Sequence, residues 1–157
     1  MLKPLQEWIC DSCGELITAP QHGYVEWKET DGKMHDFRIV HHAPHSPRKA
    51  GGRDCYYSRR DRGGDTSLES LVGVEGLIVA TSWIDLGEWH EGTYSGPHVR
   101  NLREWVTLVR RLQVPHYEEA RLCTGELSEE AGGGANEVYL YLPETLRDVI
   151  DRHESCQ

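Results

Sequence analysis

The amino-acid sequence predicts an α+β fold in which an N-terminal lobe of antiparallel β-hairpins packs on a helical C-terminal part. Before residue 42, short apolar runs alternate with polar residues, which is the period of a β-strand. Between residues 98 and 112, apolar residues recur every three or four positions, which is the period of an amphipathic helix. A Cys-x-x-Cys-Gly sequence between two short apolar segments is typical of a tight turn at the tip of a hairpin.

The first predicted hairpin surrounds Cys10 and Cys13. Apolar pairs at 8–9 and 16–17 flank this segment, and each is expected to form a short strand. Gly14 follows the second cysteine, and glycine adopts a positive φ at no steric cost. The segment is therefore expected to direct both sulfur atoms to the same side of a turn.

A second hairpin is predicted where residues 23–27 and 37–40 alternate on either side of an Asp-Gly turn at 31–32. Residues 43–64, rich in proline, glycine and arginine, are predicted to form a loop. The sequence Thr66–Glu69 fits a capping box, which predicts a short helix that places Leu68, Leu71 and Val72 in a core.

The remaining segments up to residue 123 are predicted to be helical. The apolar run 77–84 is too short for periodicity to separate strand from helix, and a helix is favoured. Residues 98–112 are predicted to form an amphipathic helix that ends before Pro115, with a further turn or two at 117–122.

A glycine-rich, acidic stretch after residue 123 is predicted to be a flexible linker. Beyond it, residues 138–142 alternate as a strand would, and Pro143 suits the first turn of a final helix. This extension is expected to dock on the main body or on a second copy of the chain, as a homodimer. The predicted organisation is a β lobe (1–64), a helical part of the same core (65–123), a linker (124–137) and a strand-helix extension (138–157).

Length and composition restrict the class of protein. The chain has 157 residues, of which 38% are hydrophobic and 27% charged, and its formal net charge is −9. No apolar run approaches the ~18 residues that a membrane span requires, and the N-terminus lacks a secretory apolar region. We therefore expect a soluble, cytoplasmic protein without a membrane partner. The negative charge disfavours indiscriminate binding of polyanions.

Cysteine and histidine residues predict a metal site in the N-terminal lobe. Cys10, Cys13, His41 and Cys55 form a ligand set suited to tetrahedral Zn²⁺. His42 and His45 are close enough in sequence to replace His41. Because side chains alternate along a strand, His41 and His42 are expected to point to opposite faces, so only one should reach the ion.

Two other interpretations of Cys-x-x-Cys are a redox pair and a disulfide. A thioredoxin-like pair should follow a buried strand and open a helix, which the flanking hairpin pattern does not favour. The five cysteines, without a signal peptide, do not favour a disulfide framework either. Cys123 and Cys156 have no ligand partner nearby, and we interpret them as a buried thiol and a tail thiol.

A cluster of basic residues surrounds Cys55 in this acidic chain. Two interpretations of this basic loop, residues 48–62, are open: a solvated loop whose arginines pair with carboxylates elsewhere, which a charge cluster alone favours, and a contact surface for a protein or nucleic-acid partner. Its cations are Arg48, Lys49, Arg53, Arg59, Arg60 and Arg62.

The segment Ile39–Pro44, preceded by the Cys-x-x-Cys turn, resembles zinc ribbons and treble clefs over about residues 8–57. Its paired histidines before an apolar residue and a proline are similar to those of HNH nucleases of the treble-clef kind. That resemblance implies His42 as a general base and His41 as a ligand of a catalytic metal. The sequence lacks the common nucleotide, hydrolase and zinc-protease motifs. A binding or regulatory module with a structural metal is therefore favoured, with a metal-dependent nuclease as the alternative.

Overall fold

A computed structural model describes residues 1–47, 54–87, 97–123, 125, 127 and 138–152 of the chain. In these ranges the strands occupy the N-terminal part and the α-helices follow, so the predicted α+β class is confirmed. The strands are β1 (Trp8–Ile9), β2 (Leu16–Ile17), β3 (Gly23–Thr30), β4 (Lys33–His41) and β5 (Gly64–Ser67). The α-helices described are α1 (Gly73–Ser82), α2 (Leu102–Gln113), α3 (Tyr117–Ala120) and α4 (Pro143–Arg152).

Both predicted hairpins are confirmed. Strands β1 and β2 pair antiparallel, with the Cys-x-x-Cys segment between them. Strands β3 and β4 pair across the turn formed by Asp31 and Gly32, which both have positive φ. Strand β5 pairs antiparallel with the other edge of β3, giving the order β4-β3-β5. Strand β3 is therefore central, with β4 and β5 on its two edges.

The favoured helical interpretation of residues 77–84 is confirmed by α1. The predicted helix at 98–112 exists, but it begins at Leu102 instead of residue 98. Val99 lies in a parallel bridge with Met34, and backbone hydrogen bonds that join Met34 to His98 and Arg100 hold this segment against β4 before the helix begins. Asn101 then caps α2, because its side-chain oxygen accepts hydrogen bonds from the first free backbone N–H groups.

Two local predictions were wrong. Thr66 belongs to β5, where it pairs with Val25, and no side chain caps the following turn. That turn is a 3-10 helix, Leu68–Leu71, which nevertheless buries both leucines as predicted. The predicted strand at 138–142 is instead a 3-10 helix, Tyr139–Tyr141. This turn is held by Arg110, whose guanidinium carbon lies 3.5 Å from the centre of the Tyr141 ring.

The described residues form two apolar clusters. The larger one joins the sheets to α2 and the Leu68–Leu71 turn, and Trp8, Ile39 and Leu112 are fully buried within it. The smaller cluster joins α3 to α4 and contains Tyr117 and Leu146. The predicted docking of the last helix on the main body is thus observed. The predicted division at residues 64, 123 and 137 is not tested by these contacts and stays a prediction.

Two further expectations concern membranes and cysteines. Within the described ranges, no helix reaches the length and apolar character that crossing a bilayer requires. Cys123 is buried, as expected, but it is disulfide-bonded, so its interpretation as an unconnected thiol was wrong. Cys10, Cys13 and Cys55 carry free thiols, which is inconsistent with a disulfide at the Cys-x-x-Cys turn.

Candidate metal centre

Four potential ligands converge between the β1–β2 turn, the end of β4 and the loop after it. The ligand atoms of Cys10, Cys13, His41 and Cys55 all lie within 4.8 Å of one another. The Nδ1 atom of His41 is 3.4 Å from the Cys13 sulfur and 3.8 Å from the Cys55 sulfur. The predicted ligand set is thus brought together by the fold.

These separations fit a tetrahedral ion of zinc size. With Zn–S near 2.3 Å and Zn–N near 2.0–2.1 Å, tetrahedral geometry places sulfur and nitrogen ligands about 3.6 Å apart. The two measured separations, 3.4 and 3.8 Å, bracket that value. Thiolate and imidazole ligands are also the types that such an ion prefers. The residues therefore form a site that can hold one metal ion.

The β1–β2 turn positions the first two sulfur atoms through its backbone. The N–H of Gly14 donates to the carbonyl of Cys10 at 2.9 Å, and the N–H of Cys10 donates to the carbonyl of Glu15 at 3.0 Å. Gly14 has φ +78°, which a residue with a side chain rarely adopts. The glycine predicted from the sequence therefore allows the turn to close.

A hydrogen bond orients the imidazole of His41. Its Nε2 atom lies 3.2 Å from the carbonyl oxygen of Leu16, and a carbonyl can only accept a hydrogen bond. The neutral ring must therefore carry its proton on Nε2, which leaves the Nδ1 lone pair directed at the cysteines. An outer hydrogen bond of this kind fixes the tautomer and orientation of metal-binding histidines.

Neither alternative histidine belongs to the cluster. The His42 ring lies against Tyr24, with ring centres 4.7 Å apart, as strand alternation predicts for the residue after His41. The exposed His45 ring stacks on His22 at 3.8 Å. His41 is thus the histidine that the fold places among the cysteines.

Cys55 is held in place by groups that the sequence analysis missed. The hydroxyl of Ser46, which is buried, lies 3.2 Å from the Cys55 sulfur. The backbone N–H of Tyr57 donates to both carboxylate oxygens of Glu26, at 3.0 and 2.9 Å. Glu26 is fully buried in β3 and is also paired with the Arg38 guanidinium. These contacts attach the loop that carries Cys55 to the central strand.

A second missed set of polar residues joins the β1–β2 turn to the helices. Arg111 of α2, which is buried, contacts Asp11 and Glu118 at 2.6 and 2.7 Å. Arg121 contacts the same two carboxylates from the edge of the network. Burial opposes ionisation of Glu118, but the charges of Arg111 and Arg121 outweigh it and hold the pKa of Glu118 below its usual value.

The thiols are in an environment that favours a cation. The pKa of Cys13 is raised to about 12, mainly by burial. The neighbouring Cys10 and Cys55 thiols contribute to the same increase. Several thiolates at this separation repel one another unless positive charge lies between them. A bound metal ion supplies that charge and replaces the thiol protons.

The basic loop is only partly described. Arg59 and Arg60 are exposed. Arg62 pairs with Asp65 at 2.9 Å and lies over the Tyr56 ring. Arg48, Lys49 and Arg53 fall outside the described residues. The structure therefore shows solvent-facing cations at two of the predicted positions and an internally paired one at a third.

Comparison of the chain with protein-family models, with curated protein sequences and with solved structures gave no match.

Proposed function

We propose that the chain binds one Zn²⁺ ion through Cys10, Cys13, His41 and Cys55, and that it acts as a small binding or regulatory module. The observation behind this proposal is the convergence of three cysteines and one oriented histidine from separate chain segments. The Cys-x-x-Cys turn on a hairpin, which supplies two of the proposed ligands, resembles the turn of zinc-ribbon and treble-clef lobes.

The proposed role of the metal is structural. Structural zinc sites have four protein ligands, whereas catalytic sites have three and keep a position for water or substrate. A full Cys3His set supports the first kind. Two of its members, Cys10 and Cys55, are almost completely buried at 1% and 0% exposure. Metal binding would then fix the β1–β2 turn, the end of β4 and the loop at Cys55 relative to one another.

The neighbouring histidines provide a matched test. Elemental analysis of protein purified without chelator should give about one zinc per chain for the parent and for His42→Ala, and much less for His41→Ala. His41→Ala should also lower the melting temperature more than His42→Ala. A parent chain without metal, or equal zinc in the two variants, contradicts the proposal. The nuclease alternative replaces the module if the parent nicks plasmid DNA and His42→Ala retains zinc but no longer does so.

The partner contact is proposed at the basic loop, residues 48–62. Its exposed cations, Arg59 and Arg60, oppose the net charge of −9, and they lie close in sequence to Cys55. The carbonyl of Ser58 accepts hydrogen bonds from the N–H groups of Asp61 and Arg62, which orders the turn that carries both arginines. Cations on an ordered turn lose less entropy when an anionic partner binds.

Charge reversal tests this contact. Arg59→Glu combined with Arg60→Glu should weaken binding to short nucleic acids or to a captured protein, and raising salt should weaken the parent in the same way. Arg147→Glu, which reverses an exposed charge on α4, is the control. Equal binding by the loop variant and the control would assign these arginines to a solvated surface.

A further inference from the structure

Arg111 connects helix α2 to the residues on either side of the metal ligand Cys10. Its side chain is 7% exposed, and its Nη1 atom donates to Asp11 at 2.6 Å. Its Nη2 atom lies 3.4 Å from the carbonyl oxygen of Ile9. A single buried guanidinium therefore contacts the residue before Cys10 and the residue after it.

Glu118 of α3 completes this attachment. Its carboxylate accepts two hydrogen bonds from Arg111, at 2.7 and 2.9 Å. The same carboxylate accepts the backbone N–H of Ile9 at 3.1 Å. The backbone of the turn is thus bonded to two helices through charged groups, and hydrogen bonds that involve a charged group are stronger and more directional than neutral ones.

Asp11 extends the network to the strand that carries the histidine ligand. Its carboxylate accepts the N–H of Ile39 at 2.7 Å, and its own N–H donates to the Ile39 carbonyl at 2.8 Å. Ile39 is two residues before His41 on β4. The carboxylate held by Arg111 therefore sets the distance between the Cys10 turn and the His41 strand.

We infer that Arg111 is a positioning residue for the metal centre, and that metal binding and the docking of α2 and α3 on the N-terminal lobe are energetically linked. The inference rests on the proposed function, since it requires a bound ion. Outer groups that orient metal ligands change metal affinity when they are removed. Linkage is reciprocal. If weaker docking of α2 and α3 lowers the affinity for the metal, then removal of the metal must weaken the docking of these helices.

The neighbouring arginine gives a matched control. Arg111→Met should weaken zinc binding by about 10–100-fold and alter the visible spectrum of bound Co²⁺, which reports the geometry of the ligands. Arg111→Lys keeps the charge and should recover part of the affinity. Arg110→Met removes the contact with Tyr141 and costs stability, but it should leave zinc affinity and the Co²⁺ spectrum unchanged. Identical affinity and spectra in Arg111→Met and Arg110→Met overturn the inference.

If Arg111→Met does not fold, amide hydrogen exchange on the unmodified chain tests the same linkage. Removal of zinc by a chelator should increase exchange in residues 8–17 and, to a similar extent, in residues 108–121. An increase confined to residues 8–17 overturns the linkage while leaving the metal site in place. A parent chain that takes up no metal overturns the proposed function, and this inference with it.

Discussion

Replacing Glu26 with glutamine tests how the fold holds Cys55 at the metal centre. The fully buried carboxylate accepts the N–H of Tyr57, two residues after Cys55, and it pairs with the guanidinium of Arg38. All of these partners are donors. A glutamine of the same size offers a single acceptor oxygen, so its amide NH2 must face at least one donor.

The expected cost follows from the burial of the two partners. Removing one member of a buried ion pair costs ~3–5 kcal/mol, mainly because the remaining charge is left without a partner. The Arg38 side chain is 23% exposed and can recover some hydration, whereas Glu26 is 0% exposed. We therefore expect Glu26→Gln to lose about 3 kcal/mol, a large fraction of the ~5–15 kcal/mol typical of a domain.

Urea denaturation in the presence of zinc measures this loss. Glu29→Gln is the matched control, because Glu29 lies on the same strand and is exposed. Zinc affinity, measured by competition with a chromogenic chelator, should also fall in Glu26→Gln, since the loop that carries Cys55 loses its attachment to β3. A Glu26→Gln protein within ~0.5 kcal/mol of Glu29→Gln would refute this interpretation.

Two further predictions concern helix packing and acid stability. Gly76→Ala usually stabilises a helix, but here a Cβ atom would lie 2.0 Å from the carbonyl carbon of Leu71, so we expect a loss of about 1–3 kcal/mol by urea denaturation. The pKa of Glu118 in the folded protein is below the ordinary glutamate value of 4.5, because Arg111 and Arg121 stabilise its charged form. Its ion pairs therefore stabilise the protein above that pH, and this contribution is lost as pH falls through the folded-state pKa. The difference in unfolding free energy between the parent and Glu118→Gln should therefore shrink on acidification, and a constant difference would contradict this expectation. A Gly76→Ala protein that is more stable than the parent would contradict the first prediction.

Local patterns were sufficient to predict most elements and the four residues that converge at the candidate metal centre. The Asp31–Gly32 turn predicted the β3–β4 hairpin because its backbone conformation is compatible with few other structures. The Cys-x-x-Cys-Gly sequence predicted the β1–β2 turn for the same reason. Strand alternation predicted only that His41 and His42 face opposite sides of β4, and the contact of the His42 ring with Tyr24 agrees with it. It could not say which of the two lies among the cysteines, because that depends on where the β1–β2 turn packs.

The charged groups around the site were missed because they depend on register and on contacts distant in sequence. A simple hairpin register from the turn would place Glu26 opposite Phe37, but an irregularity between Glu26 and Lys28 places it opposite Arg38. Arg111 and Asp11 are 100 residues apart in the chain. The amphipathic pattern of α2 indicated which face would be apolar, but it gave no reason to bury an arginine.

The boundary errors have the same origin. Val99 fits the helical period of α2 yet lies in a bridge with Met34, so a tertiary contact overrides the local pattern. Residues 138–142 alternate like a strand, but in the described structure residues 139–141 form a 3-10 helix beside Arg110. A segment with an alternating pattern forms a strand only when a neighbouring strand edge is available to pair with it.

X-ray absorption at the zinc edge of the purified protein tests the central claim most directly. The structure predicts three sulfur ligands from Cys10, Cys13 and Cys55 and one imidazole nitrogen from His41. The expected distances are near 2.3 Å for sulfur and about 2.0–2.1 Å for nitrogen. The absence of zinc, or an ion with fewer than four protein ligands and a bound water, would contradict a structural Cys3His centre.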